Sequence, residues 1–197
     1  MSLIIAAKND EGIVVLGDKR ALTTFEPDYF YSDTNEKILK INEKVAIGAA
    51  GFASDAFPIL KEVKNSKLSG DIEEVADKIC SIVTEYHSRF KTTKFQKNVE
   101  QHLSKEPEYV FIVAGYTKEG IAKIYDIYSS NIRKIESITP FSVQGIKTVA
   151  QMKLILGMPL PEGLTELEEL CEDAMKQTSK MSFAVSPQFD KIVIPKP

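Results

Sequence analysis

Cysteine and histidine are scarce in this chain of 197 residues. Its two cysteines, Cys80 and Cys171, stand alone, without a CxxC pair or histidines at metal-ligand spacing. This pattern predicts neither a zinc site nor a disulfide framework, and it favours two buried thiols in a reducing cytoplasm. The two histidines, His87 and His102, lie in polar stretches and are interpreted as solvated surface residues. No metal or other cofactor is therefore expected.

Long apolar runs and a strong net charge are missing as well. No stretch approaches the roughly 18 apolar residues of a membrane helix, and the N-terminus lacks the basic region and cleavage site of a secretory signal. The net charge of -3 argues against binding to nucleic acid or to an anionic membrane. With 43% hydrophobic and 27% charged residues, we expect a single cytoplasmic domain over residues 1–197.

Short apolar segments bounded by turn residues predict most of the strands. Two such segments open the chain and are joined by a tight turn. The stretch Leu22–Asn35 is aromatic and is interpreted as irregular, because Pro27 rules out a continuous helix. The predicted strands are Leu3–Ala7, Ile13–Asp18, Lys37–Ile41, Val45–Gly51, Tyr109–Tyr116, Ala122–Tyr128, Ile132–Ile138, Phe141–Gly145, Met181–Ser186 and Lys191–Ile194.

Four segments carry apolar residues at helical spacing. The polar stretch Lys91–Pro107 is interpreted as a loop or a frayed helical extension. The predicted helices begin at Ser54, with Pro58 in the first turn, at Ile72 behind the cap Asp71, at Val149, and behind Leu164 with the capping box Thr165-x-x-Glu168.

The order of these elements predicts the fold class. Strands come in antiparallel hairpins and helices come in pairs, which does not suit alternating βαβ units. Helix pairs that cover the outer faces of two stacked antiparallel sheets form an α+β fold, the four-layer αββα sandwich.

The first hairpin predicts a cluster of reactive side chains. Its tight turn brings Ser2, at the start of the first strand, near Asp18 and Arg20, at the end of the second. If Met1 is removed, Ser2 carries both a hydroxyl and a free α-amine, which can act as nucleophile and base. Simpler alternatives remain: Asp18 pairs with a neighbouring cation, and Lys37 is an ordinary edge-strand lysine.

Several motifs in register resemble the front half of a proteasome β-type subunit, a member of the N-terminal nucleophile hydrolases. They are Ser2-Leu3-Ile4-Ile5-Ala6, Gly12-Ile13-Val14-Val15, Asp18-Lys19-Arg20-Ala21, Glu36-Lys37-Ile38-Leu39-Lys40-Ile41, Gly48-Ala49-Ala50-Gly51-Phe52-Ala53-Ser54-Asp55-Ala56 and Ser142-Val143-Gln144-Gly145-Ile146. The resemblance implies the αββα fold, a peptide or protein substrate, and a homo-oligomer that could form a ring.

The resemblance also implies a role for individual residues. Ser2 matches the nucleophile, whose acyl-enzyme leads to cleavage or transfer of a peptide bond. Asp18 and Lys37 match the acidic residue and the lysine around it. Gly51 matches the glycine whose N–H forms the oxyanion hole, and Arg20 matches a structural arginine beside Asp18.

Two departures from the family pattern keep an alternative open. Active members carry an aspartate, a serine and glycines after the last long helix. The corresponding segment Gln177–Ala184 has neither aspartate nor glycine and offers only Ser179 and Ser182 as supporting residues. The serine expected after Gly145 is Ile146. The alternative is an inactive proteasome-like subunit with an assembly or binding role.

Overall fold

The computed structural model describes residues 2–25, 28–51, 53–90 and 109–197. Within these ranges the chain forms strands, then two helices, then more strands, two further helices and a final strand. The strands are β1 (Leu3–Lys8), β2 (Gly12–Asp18), β3 (Ala21–Phe25), β4 (Asp28–Ser32), β5 (Ile38–Asn42), β6 (Val45–Gly51), β7 (Tyr109–Tyr116), β8 (Ala122–Tyr128), β9 (Arg133–Glu136), β10 (Phe141–Gly145) and β11 (Phe189–Pro195). The helices are α1 (Ala53–Asn65), α2 (Ile72–Phe90), α3 (Thr148–Leu156) and α4 (Leu164–Met181).

Two antiparallel sheets form the middle of the molecule. One has the strand order β10-β1-β2-β11 and the other has the order β5-β6-β7-β8-β9. In the first sheet Ile4 lies opposite both Gly17 of β2 and Gln144 of β10. The strands β3 and β4 form a separate two-stranded hairpin.

Three apolar layers separate the four structural layers. Ile4, Val15 and Ile112 belong to the cluster between the two sheets. A second cluster packs α1 and α2 on the five-stranded sheet, and a third packs α3 and α4 on the four-stranded sheet. Because apolar side chains alternate between the two faces of β1 and β2, both strands are buried on both sides. The predicted αββα sandwich is confirmed.

Most predicted elements are confirmed, with small shifts of their ends. Asp71 caps α2, because its Oδ1 accepts the N–H of Glu74 at 3.0 Å. Cys171 is buried, and burial raises its pKa to about 12, whereas Cys80 is only half-buried. None of the helices in the described part of the chain has the length and apolar character that crossing a membrane demands. The predicted loop Lys91–Pro107, including His102, lies outside the described residues.

Three predictions of secondary structure are wrong. The segment Leu22–Asn35 is not irregular, because most of it forms the β3–β4 hairpin, with the connecting residues 26–27 outside the description. The segment Met181–Ser186 is not a strand: α4 continues to Met181 and a turn follows, in which the N–H of Val185 donates to the carbonyl of Ser182. As a result β11 pairs with β2, far away in sequence, instead of closing a terminal hairpin.

Two helix starts and one histidine also differ from prediction. Helix α4 begins at Leu164, so Thr165 lies inside it, and the carboxylate of Glu11 accepts the Leu164 N–H at 2.9 Å instead. Helix α1 begins at Ala53, which places Pro58 in its second turn. His87 is half-buried, and its Nε2 lies 2.5 Å from the hydroxyl of Tyr109.

Candidate active site

The start of β1 is held between two neighbouring strands. Ser2 is buried, with 5% of its surface exposed. Its carbonyl accepts the N–H of Ile146 at 2.9 Å, and the N–H of the next residue, Leu3, donates to Asp18 Oδ2 at 2.6 Å. Because main-chain bonds on both sides define this position, the residue that begins the strand has a fixed place beside Asp18.

Gly145 makes this arrangement possible. Its φ is +95°, in the left-handed region that L-residues with a side chain rarely adopt. A Cβ at this position would lie 1.8 Å from the carbonyl oxygen of Ser2. Only glycine therefore allows β10 to turn this closely around Ser2.

Lys37 and Asp18 form a buried ion pair at the end of β2. Lys37 Nζ lies 2.9 Å from Asp18 Oδ2, with side-chain exposures of 1% and 0%. The ammonium also donates to the carbonyl of Arg20. Burial lowers the pKa of Lys37, and the charge of Asp18 opposes that shift. The same Asp18 oxygen thus accepts from Lys37 and from the main chain directly after Ser2.

The second oxygen of Asp18 fixes the orientation of the carboxylate. Asp18 Oδ1 accepts the N–H of Arg20 at 2.8 Å and the N–H of Ser186 at 3.2 Å. Each oxygen of Asp18 thus has two donors. These hydrogen bonds compensate for the cost of burying the charged carboxylate. Ser186 itself is 0% exposed.

A glycine brings Lys37 within reach of Asp18. A Cβ on Gly17, the residue before Asp18, would lie 2.6 Å from the side chain of Ile38. The absence of that atom lets the start of β5 approach β2 across the space between the sheets. The carbonyl of Lys37 accepts the N–H of Ala49 at 2.9 Å, which ties the same residue to β6.

Arg20 forms hydrogen bonds with two segments that surround the site. Its guanidinium forms two hydrogen bonds with Asp33, at 2.8 and 2.7 Å, and lies 4.2 Å from the ring centre of Tyr31. It also donates to the carbonyl of Phe183, after α4. The hydrogen bonds with Asp33 raise the pKa of Arg20 and lower the pKa of Asp33. Arg20 therefore connects the β3–β4 hairpin to the turn that follows α4.

Gly51 ends β6, opposite Tyr109 of β7. Its φ is +108°, which again requires glycine, and it lies two residues beyond Ala49, the main-chain partner of Lys37.

Ser179 and Ser182 form local hydrogen bonds instead of joining the group around Asp18. The hydroxyl of Ser179 donates to the carbonyl of Lys176, and the hydroxyl of Ser182 accepts the N–H of Ala184. Among the described residues, the serine whose main chain binds Asp18 is Ser186. The sequence did not predict Ser186 and Asp33 as part of the site, because their partners are remote in sequence. For Asp33 the only local signal was the polar turn Ser32-Asp33-Thr34-Asn35.

A sequence profile of a known family decides the identity of this chain. The family described as proteasome subunit matches residues 2–133. The chain belongs to the proteasome subunit family. This family has the N-terminal nucleophile hydrolase fold, which is the αββα sandwich described above. A search of curated protein sequences gives no match.

Solved structures of proteasome-like proteins share the fold of this family member. The Anbu complex from Pseudomonas aeruginosa, described as a helical assembly, superposes with a TM-score of 0.80 at 15% identity, covering 98% of this chain and 81% of the other. HslV from Trypanosoma brucei gives 0.66 at 18% identity, covering 98% and 99%. Anbu from Yersinia bercovieri gives 0.74 at 14% identity, covering 98% and 80%.

The described residues hold no group of three or more His, Cys, Asp and Glu side chains suited to a metal ion.

Proposed function

We propose that this proteasome-family chain is a peptidase or amidohydrolase that acts through an acyl-enzyme on Ser2 after removal of Met1. The observation that carries the proposal is the shared oxygen of Asp18, which accepts from both Lys37 Nζ and the Leu3 N–H. It holds a buried ammonium beside the residue that would become the N-terminus.

The first step is attack on the peptide carbonyl. The α-amine of a processed N-terminus has a pKa of about 7.7–8.0, so an appreciable fraction is neutral near pH 7. In the proposed reaction this amine takes the proton from the Ser2 hydroxyl, and Oγ forms a bond to the carbonyl carbon. One residue thus supplies both nucleophile and base.

Lys37 and Asp18 would assist through charge and position. A cation close to the α-amine disfavours the protonated form of that amine and keeps it available as a base. The same cation stabilises negative charge that develops on Oγ. Asp18 would hold the Lys37 ammonium in place, because the other oxygen of Asp18 is fixed by main-chain N–H groups.

The acyl-enzyme then forms and is resolved. The N–H of Gly51 is proposed to donate to the oxyanion of the tetrahedral intermediate. The intermediate then collapses to the acyl-enzyme as the leaving amine takes the proton held by the α-amine. Water attack on the ester regenerates Ser2 and releases an acid. Attack by a peptide amine forms a new peptide bond instead, so hydrolysis and transfer share the first half-reaction.

The proposal is tested by intact mass before and after incubation with a peptide epoxyketone, a reagent that needs both a hydroxyl and a neighbouring free amine to form its ring adduct. We expect loss of Met1 and one adduct per chain. Ser2→Ala abolishes the adduct, whereas Ser88→Ala, which removes an exposed hydroxyl of α2, retains it. Retention of Met1, or an adduct that survives in Ser2→Ala, contradicts the proposal.

Two observations favour a second function, an inactive subunit with an assembly or binding role. The position expected to carry a serine near the site is Ile146, and the segment Gln177–Ala184 has neither the aspartate nor the glycines expected of active members. In this case the Asp18–Lys37 pair serves only to stabilise the fold. The same mass experiment separates the two functions, because the inactive subunit forms no adduct.

We also propose that the chain assembles with copies of itself. The relative from P. aeruginosa forms a helical assembly. Helix α3 exposes Met152, Ile155 and Leu156, and Met158 follows it, with exposures between 46% and 78%. An apolar helix face of this kind suits a contact with a second copy.

A further inference from the structure

Asp33 follows β4, on the hairpin beside the candidate site. Its carboxylate accepts two hydrogen bonds from the guanidinium of Arg20, at 2.8 and 2.7 Å. Both side chains are largely buried, with 12% of Arg20 and 22% of Asp33 exposed. A two-point contact of this kind fixes the plane of a guanidinium as well as its position. Asp33 therefore limits how far Arg20 can move.

The main chain of Arg20 contacts both members of the Asp18–Lys37 ion pair. Its N–H donates to Asp18 Oδ1 at 2.8 Å, and its carbonyl accepts from the ammonium of Lys37. Because the ion pair is fully enclosed, water does not readily replace either contact. A displacement of Arg20 would therefore disturb the carboxylate and the ammonium together.

Asp33 is the main anchor of the Arg20 side chain. Among the described residues, the guanidinium has one further hydrogen bond, to the carbonyl of Phe183, and it lies over the ring of the exposed Tyr31. Residues 182–188, which connect α4 to β11, include no aspartate or glutamate. The turn after α4 thus has no carboxylate that could take the place of Asp33.

Asp33 also acts on the site through its charge. Within the described part of the chain, the charged groups around Lys37 are Asp18, Asp33 and Arg20. Burial lowers the pKa of Lys37, Asp18 and then Asp33 oppose that shift, and Arg20 adds to it. Without the charge of Asp33, the cation of Arg20 is no longer balanced, so the pKa of Lys37 should fall further.

From these contacts we infer that Asp33 is a positioning residue for the reaction proposed at Ser2. Through the guanidinium of Arg20 it fixes the main chain that holds Asp18 and Lys37, and its charge balances that of Arg20. The inference rests on the proposed function, because the ion pair has a chemical role only if Ser2 is the nucleophile. Asp33 acts through Arg20, and no contact between Asp33 and the substrate is required.

The inference is tested with Asp33→Asn in the full chain, a substitution that keeps the size of the side chain and removes its charge. We expect the rate constant of adduct formation with the peptide epoxyketone to fall about 10- to 100-fold, because small displacements around a nucleophile slow its reaction strongly. Asp190→Asn is the matched control. It makes the same substitution in an ion pair with Lys19, the residue before Arg20, and should react at the wild-type rate.

The pH dependence of the reaction separates this role from a purely structural one. In Asp33→Asn we expect Lys37 to lose its proton at lower pH, so the alkaline fall in the rate of adduct formation shifts to lower pH. An NMR titration of the Lys37 side chain should show the same shift, and that measurement needs no activity. Asp190→Asn should show neither shift.

Arg20→Lys tests the contact without removing a charge. Lysine cannot form the two-point contact with Asp33, so we expect slower adduct formation, with the alkaline fall at the wild-type pH. Circular dichroism confirms that each variant is folded.

The inference is overturned if either Asp33→Asn or Arg20→Lys, when folded, reacts at the wild-type rate. An unchanged titration of Lys37 in Asp33→Asn overturns it as well. If the wild type itself forms no adduct, the proposed function fails, and the titration of Lys37 still decides whether Asp33 acts on the ion pair.

Discussion

At the scale of single residues, the site depends on a carboxylate that is fully enclosed by its donors. Asp18 accepts four hydrogen bonds from four different segments, through Leu3, Arg20, Lys37 and Ser186. A buried charge of this kind is sensitive to the loss of any hydrogen-bond partner, because a donor or acceptor left unpaired stays shielded from water. The ion pair with Lys37 is therefore a structural requirement as well as a proposed part of the chemistry.

A double-mutant cycle on this pair tests its role in stability. Lys37→Met leaves a buried carboxylate without its cation, and we expect the free energy of unfolding to fall by about 3–5 kcal/mol in urea titrations. Asp18→Asn should be destabilising as well, and the double variant should lose clearly less than the sum of the two. The exposed pair Glu36–Lys64, with side-chain exposures of 55% and 58%, serves as the control, with a coupling of at most about 1 kcal/mol. Additive losses at Asp18 and Lys37 would contradict the prediction.

At the scale of elements, ion pairs join the start of α2 to the edge of the five-stranded sheet. Glu73, in the first turn of α2, contacts Lys123 Nζ at 2.8 Å, the Tyr125 hydroxyl at 2.6 Å and Lys134 Nζ at 3.4 Å. These contacts, the hydrogen bond from Lys123 first, lower the pKa of Glu73 from 4.5 to about 2. The helix is thus attached to β8 and β9 through a carboxylate that stays ionised in mild acid.

This attachment predicts a specific loss of stability in acid. A carboxyl group with a lowered folded-state pKa stabilises the fold above its ordinary pKa, and the contribution disappears as the pH falls from about 4.5 to about 2. Because the Glu73 side chain is 36% exposed, we expect about 1 kcal/mol. The difference in unfolding free energy between wild type and Glu73→Gln should be constant above pH 5 and shrink below it.

The control for this measurement is Glu43→Gln. Its ion pair with Lys40 is far more exposed, with 91% of the Glu43 side chain in solvent. We expect a small effect there, because solvent screens such a pair. A Glu73→Gln difference that does not change between pH 6 and pH 2.5 would exclude the proposed attachment.

At the scale of the whole molecule, the proposed site and the apolar outer face use different residues. Asp18 and Lys37 form their ion pair between β2 and the start of β5, whereas the exposed Met152, Ile155 and Leu156 lie on α3, which covers the outer face of the four-stranded sheet. The two proposals, self-association through α3 and chemistry at Ser2, can therefore be tested with separate substitutions.

Ile155→Glu tests the assembly surface. A charge in the exposed apolar face of α3 should shift the mass measured by light scattering towards the monomer, because burying an unpaired carboxylate is costly. Ile138→Glu is a matched control, since Ile138 is 100% exposed and lies outside α3. We expect unchanged circular dichroism in both variants. An Ile155→Glu variant that keeps the wild-type mass would exclude α3 as the contact.

The sequence alone determined the fold class and the residues at the centre of the site. Alternating and helical apolar patterns depend on nearby residues, so they predicted most of the strands, the four helices and the αββα order, but not the β3–β4 hairpin. The first hairpin predicted Asp18 and Arg20 near Ser2, and family motifs added Lys37 and Gly51. The structure joins Asp18, Arg20 and Lys37 in one hydrogen-bonded group that also includes the N–H of Leu3, directly after Ser2, while their chemical roles remain proposals.

Only the tertiary structure decided the partners that are remote in sequence. The Ser186 N–H reaches Asp18 across 168 positions, and Glu11 caps a helix that begins 153 residues later. The pairing of β11 with β2 is likewise absent from any local pattern. The physical reason is that a hydrogen bond or a cavity depends on atoms brought together by packing, whereas a local pattern records only which face of an element is apolar.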